Sequence, residues 1–208
     1  MLQPSGLFLP NRIARYFFLA MDDVMGQVGL NTLLKQAKLE QYIGQYPPDN
    51  LEKKFDFSSM AALNIALEAT YGTRGGRGMA LRVGRASFSQ GMKTFGALAG
   101  MQHPAFRALP RNEAGRMGLQ ALANIFNTFS DQRSHLEEDA ESFRFMADHS
   151  PVAWGRQSDK PVCHALAGMI QECMRWASDG QEYYVYESAC TACGDPHCIF
   201  VIHKTPMG

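Results

Sequence analysis

Apolar residues recur at helical spacing through the first two thirds of the chain and alternate with polar ones in the last third. Ile13, Phe17, Ala20, Met21 and Val24 mark one face of a helix that opens at Pro10 and Asn11 and closes at Gly26 and Gly29. Leu30, Leu33, Leu34, Ala37 and Leu39 predict a second helix, broken by "QYPPDN". Ser58 or Ser59 can cap a third through Met60, Leu63, Ile65 and Leu67. "YGTRGGRG", residues 71–78, reads as a loop, and a fourth helix is expected from Met79 to Leu98. "GMQHPAFRALPRNE" is irregular. Asn112 then caps a helix through Met117, Leu119, Leu122, Ile125, Phe126 and Phe129.

Beyond residue 130 the period changes. "RSHLEE" and "ESFRFMAD" predict two strands joined at Asp139–Ala140, with Phe143 and Phe145 alternating against Ser142 and Arg144. Residues 162–178 return to helical spacing, through Leu166, Met169, Ile170, Cys173 and Ala177. "QEYYVYES" and "CIFVIHK" are two further strands. The order is helices, then β-β-α-β-β. This predicts an α+β fold: a four-stranded antiparallel sheet in the C-terminal half, helices on one face, and a helical N-terminal region. We expect one domain over 1–208, its first 55 residues forming the helical region.

Composition narrows the picture. Hydrophobic residues make up 46% and charged residues 19% of the 208, a globular balance rather than a disordered one. Lys+Arg and Asp+Glu are both 20, so no basic face for nucleic acid is expected. No apolar run approaches the roughly 20 residues that span a bilayer, although "IARYFFLAM" is sticky enough for peripheral membrane contact. The start lacks a charged segment followed by a long apolar one, so a cytoplasmic, reducing location is expected. There, clustered cysteines favour metal over disulfides.

The chemistry concentrates in "YESACTACGDPHCIFVIHK", residues 186–204. Tyr183, Val185 and Glu187 share one face of a strand. Cys190 lies just past its end, Cys193 in the loop, and Cys198 opens the return strand. Such a hairpin brings Glu187, Cys190 and Cys198 within reach of one ion. Cys163 begins the preceding helix, where the helix terminus favours thiolate. Cys163, Glu187, Cys190 and Cys198 make a closed tetrahedral set suited to structural zinc. Alternatives stay open: Cys193 in place of Glu187, His197 in place of a cysteine, a C-x-x-C redox pair, or a metal-free turn of reduced thiols. Cys173 lies on the apolar stripe of its helix and reads as core.

"SPVAWG", "KPVCHALAGMIQE" and "YYVYESACTACGDPHCIFVI" together resemble the 4-vinyl reductase-like domain, with a looser likeness at "VGRASFSQGM". On this resemblance residues 56–208 form the vinyl-reductase-like domain. It implies the fold of TRAPP vesicle-tethering (Bet-like) subunits, often dimeric, so a homodimer is expected. In the family's aromatic-sensing activators the zinc ligands fall on Cys163, Glu187, Cys190 and Cys198. Stand-alone members of photosynthetic bacteria are tied to chlorophyll or bacteriochlorophyll biosynthesis and photosystem assembly.

The expectation is therefore a zinc-stabilised protein that carries or senses a hydrophobic tetrapyrrole ligand without chemistry. A 4-vinyl reductase acting on a divinyl chlorophyllide-type substrate is the alternative, and a dimeric interaction module the second. "GTRGGRG" lacks the strand a nucleotide loop requires. Phe88, Met92, Trp154, Tyr183 and Arg85 are the candidate pocket residues. Arg85 belongs with Arg74, Arg77 and Arg82 to a basic cluster able to grip a carboxylate. His103, His135 and His149 are candidate axial ligands.

Overall fold

The computed structural model describes residues 2–101 and 103–207. Strand β1 (Phe8–Pro10) leads into helix α1 (Asn11–Gln36), and strand β2 (Lys53–Asp56) into helix α2 (Phe57–Gly91). β1 and β2 pair antiparallel in a small sheet. Asp131 fastens it to the rest of the molecule by accepting from the Phe8 N–H at 2.8 Å and from Lys53 Nζ at 2.9 Å. A π-helical segment (Met92–Gly96), the short α3 (Pro104–Arg107) and α4 (Arg111–Phe129) follow. The C-terminal half is β3 (Ser134–Glu138), β4 (Ser142–Ala147), α5 (His164–Ala177), β5 (Tyr183–Ala189) and β6 (Cys198–Pro206).

These last four strands form the expected antiparallel sheet, in the order β3-β4-β6-β5. Phe145 faces Phe200 across β4 and β6, and Phe143 faces Ile202. All four side chains are buried on the face covered by α4 and α5. Arg144, Val201, Tyr184 and Tyr186 take the other face, which alternation along a half-covered strand requires. Among the described residues no helix is long and apolar enough to cross a membrane.

The helices depart from the sequence expectation in one consistent way. The breaks expected at Gly26 and over 71–78 are kinks within continuous helices. Gly26 (φ 74°) interrupts α1 and Gly72 (φ 71°) interrupts α2, and the helix resumes after each. A side chain would be strained at either φ. Glycines after Gly72 are weak helix formers, but Gly76 lets the second half of α2 close on Glu68, where a Cβ would meet the Glu68 backbone. The cap of α2 is Asp56, which accepts from the Ser58 N–H at 2.8 Å, rather than Ser58 or Ser59. No side chain caps α4, which starts at Arg111.

The tightest helix contact is the crossing of α2 and α5. A methyl group at Gly84 would fall on the Ala165 carbonyl oxygen, and one at Gly168 on the Leu81 carbonyl oxygen. The two bare glycines are reciprocal: each helix lays its backbone against the other where the other has no side chain. We expect Gly84→Ala and Gly168→Ala each to cost about 1–3 kcal/mol or more in urea unfolding, because backbone rather than a flexible side chain must move. Gly78→Ala, on the same helix with open space around it, is expected to be neutral or slightly stabilising.

Candidate metal centre and apolar cavity

The crossing fixes where α5 begins. Cys163, its N-cap residue, is fully buried. Opposite it, the β5–β6 connection turns back through a 3-10 turn (Thr191–Cys193) and Gly194 at φ 96°. Asp195 steadies this turn by accepting from the Cys190 N–H at 2.8 Å. Three sulfurs meet as a result: Cys163–Cys198 at 3.6 Å, Cys198–Cys190 at 3.9 Å and Cys163–Cys190 at 4.0 Å. Metal–sulfur bonds of about 2.3 Å in tetrahedral geometry place sulfurs about 3.8 Å apart, so the triangle already has the size one ion requires.

Glu187 completes the group. One ligand atom from each of Cys163, Glu187, Cys190 and Cys198 lies within 4.8 Å of every other. Its Oε2 accepts from the Cys163 N–H at 2.8 Å, while its Oε1 is buried with no hydrogen-bond partner. An unsatisfied buried carboxylate oxygen beside three thiols is costly unless a cation or a proton meets it. Without a cation, burial and the neighbouring Cys190 push the Glu187 carboxyl up to about 8. Burial also holds the Cys163 thiol well above its ordinary value, whereas hydrogen bonds from Cys163 and Cys198 pull Cys190 down towards thiolate. A divalent ion would favour the charged form of every member.

Neither alternate ligand joins the cluster. Cys193 is exposed, turned outward by the 3-10 turn. His197 is half-exposed, with Nδ1 3.0 Å from Asp148 Oδ1. Cys173 is buried within the helix layer.

Ser150 Oγ lies 3.1 Å from Cys163 Sγ and also lines a cavity on the other side. This cavity, of about 90 Å³, is walled by α1 (Ile13, Tyr16, Phe17), α2 (Met60, Ser87, Phe88, Gly91), the π-helical segment, α4 and α5. It therefore lies among helices, whereas the sequence placed it between helices and sheet: no strand of the four-stranded sheet reaches it. Its walls are apolar except for a few groups. Among these, Ser87 Oγ is buried with no hydrogen-bond partner.

Phe88 and Met92 line this cavity, but Trp154, Tyr183 and Arg85 stand outside it. The rotation of α2 at the Gly84 crossing turns Ser87, Phe88 and Gly91 inward and Arg85 away. Arg85 makes a bidentate pair with Glu182 at 2.7 and 2.9 Å, tying α2 to the start of β5. Tyr183 is buried beneath the sheet, and Trp154 packs against the outer part of the core. His103, His135 and His149 are exposed; His103 accepts from the Ala105 N–H at 3.2 Å as the cap of α3. The role of Ser87 was missed, since an isolated serine in an apolar helix carries no signal in the sequence.

Residues 143–204 match the family model of the 4-vinyl reductase domain. The matched segment runs from β4 into β6 and contains all four members of the cluster. No curated protein matches the chain. Solved structures of similar fold are H-NOX proteins. An Fe(II) unliganded H-NOX protein from K. algicida is 16% identical, with a TM-score of 0.61 over 95% of this chain and 97% of that one. An oxygen-binding H-NOX domain related to soluble guanylate cyclases is 14% identical, with a TM-score of 0.56 over 95% and 96%. A third structure, described as probing the function of heme distortion in the H-NOX family, is 14% identical, with a TM-score of 0.55 over 96% and 97%.

The cluster generates a ligand-by-ligand expectation. Cys198→Ser and Cys163→Ser should abolish stoichiometric binding of a divalent metal measured by elemental analysis. Cys193→Ser should retain it. Metal should be released as pH falls, because protons compete for the thiolates.

Proposed function

We propose that this chain is a zinc-stabilised small-molecule-binding protein whose helical cavity takes a large apolar ligand of tetrapyrrole type, such as a chlorophyll precursor. The cavity carries this reading: an interior apolar space with a lone unpartnered hydroxyl, Ser87 Oγ, available to orient a guest. The match of residues 143–204 to the 4-vinyl reductase domain and the likeness in fold to H-NOX proteins, one of them described for its heme, support it. The glycine-rich stretch 71–78 is part of α2 rather than a phosphate loop, and this favours binding over cofactor-dependent reduction.

Size sets a condition on the ligand. A cavity of about 150 Å³ is what admits benzene in a well-studied apolar site. The space of about 90 Å³ here is smaller, so a tetrapyrrole enters only as the walls part. The walls suit that. Met60, Met92, Met101 and Met169 are flexible and easily repacked, and the π-helical turn at Met92–Gly96 is an irregular element that a helix can reset. Burial at about 25 cal/mol per Å² supplies the driving force, against the cost of opening and association.

Zinc suits the cluster because three thiolates and a carboxylate fill a tetrahedral shell, leaving no open position for substrate. Its role is then structural: it clips the start of α5 to the terminal hairpin. About one zinc per chain is expected on elemental analysis, and chelation should lower the melting temperature. Chelation that left stability unchanged but removed an activity would assign the ion a catalytic role.

The ligand is tested by titrating chlorophyllide, protochlorophyllide and heme, following absorption and protein fluorescence. Saturable binding below roughly 100 μM is expected, weakened about tenfold or more by Met92→Trp, which fills the cavity. Chelation should weaken it too, because Ser150 joins the cluster to the cavity wall. Lack of saturation, or equal binding by Met92→Trp, would overturn the reading. Loss of a vinyl group from the ligand on adding an electron donor would identify a reductase instead.

A further inference from the structure

A second concave feature lies on the opposite face of α5. It is a cleft of about 420 Å³ bounded by α2, the loop over 158–162, the start of α5 and β5. Along α5, Ala165, Leu166 and Met169 line the apolar cavity, whereas His164, Ala167 and Gln171 line the cleft. At about 100° per residue these are opposite faces of one helix. The two spaces are therefore separate sites that share a wall.

The cleft is cationic. Arg74, Arg77 and Lys160 line it, and none of them has an ion-pair partner among the described residues. Two carboxylates also line it, and both are committed elsewhere. Glu68 Oε2 accepts from Arg156 Nη2 at 2.7 Å; that arginine is only 7% exposed, and its Nη1 has no hydrogen-bond partner. Glu187 Oε2 is held by the Cys163 N–H. The N-terminal end of α5, a helix of 14 residues, adds its partial positive charge from the same side. Both halves of α2 reach the cleft, Glu68 before the kink at Gly72 and Arg74 and Arg77 after it.

Two unpaired arginines and a lysine converging on one concavity make a receptor for an oxyanion. Arginine forks match the geometry of carboxylate and phosphate, and lysine adds a mobile point charge. The volume suits a small metabolite. We propose that this cleft binds a small soluble metabolite through a phosphate or carboxylate group held by Arg74, Arg77 and Lys160, independently of the apolar cavity.

The test is calorimetric titration of the full metal-loaded chain with inorganic phosphate and, separately, with succinate. Sedimentation with vesicles of phosphatidylcholine and phosphatidylglycerol runs in parallel. Saturable binding of at least one soluble probe is expected, and the stronger of the two names the group recognised. Arg77→Gln should weaken it about tenfold, the scale of one lost charged hydrogen bond. Arg74→Gln provides the same test if Arg77→Gln fails to fold. Arg82→Gln removes the same charge from an exposed position outside the cleft and should leave binding unchanged. No saturable binding of either probe, equal weakening by Arg82→Gln, or binding confined to vesicles would each overturn the proposal.

Discussion

The close crossing of α2 and α5 is the constraint on which the rest depends. Gly84 and Gly168 remove the side chains that would hold the two helices apart, so carbonyl groups sit where a methyl would otherwise be. Such an approach leaves little freedom of rotation or sliding, because interiors packed to crystal-like density do not deform continuously. Helix α5 is thereby fixed in height and rotation. Its first residues land against the β5–β6 turn, one of its faces closes the apolar cavity and the other walls the cationic cleft.

The thiol–carboxylate cluster is the second fixed point. It joins Cys163 to Cys198 across 35 positions of chain, and so ties the crossover helix to the terminal hairpin. Left without a cation it is a strained electrostatic arrangement, with burial pushing the Glu187 carboxyl up and an orphaned oxygen beside it. The same features make it a good receptor for a charge of two. Its contact with Ser150 carries that order to the wall of the cavity.

The wall opposite is built differently. Methionines, glycines at 91 and 96 and a π-helical turn surround the cavity on the α2 side, while the α5 side is held by the crossing. A cavity with one rigid and one compliant wall can enlarge without loss of the core, since Phe143, Phe145, Phe200 and Ile202 pack in a separate layer beneath α4 and α5.

Local pattern was enough to read the sheet. Phe143 and Phe145 alternate with Arg144 because one side of β4 meets helices and the other meets water, and period two survives any detail of packing. The cluster was legible too, as ligand types at hairpin and helix-start spacing. Even so, the choice of Glu187 over Cys193 belonged to the 3-10 turn that points Cys193 outward. Residues 71–78 misled because glycine's low helix propensity is a local quantity, whereas their helix is held by packing against Glu68 and α5. Arg85, Tyr183 and Trp154 misled because periodicity shows which residues share a face but not which neighbour that face meets. The sequence by itself determined the element types, the two faces of the sheet and the candidate ligands, all of which depend on neighbours a few residues apart. Tertiary structure alone decided the rotation of α2 about its axis, the division of α5 between two sites and the place of the cavity, because these follow from two glycines 84 positions apart meeting at one crossing.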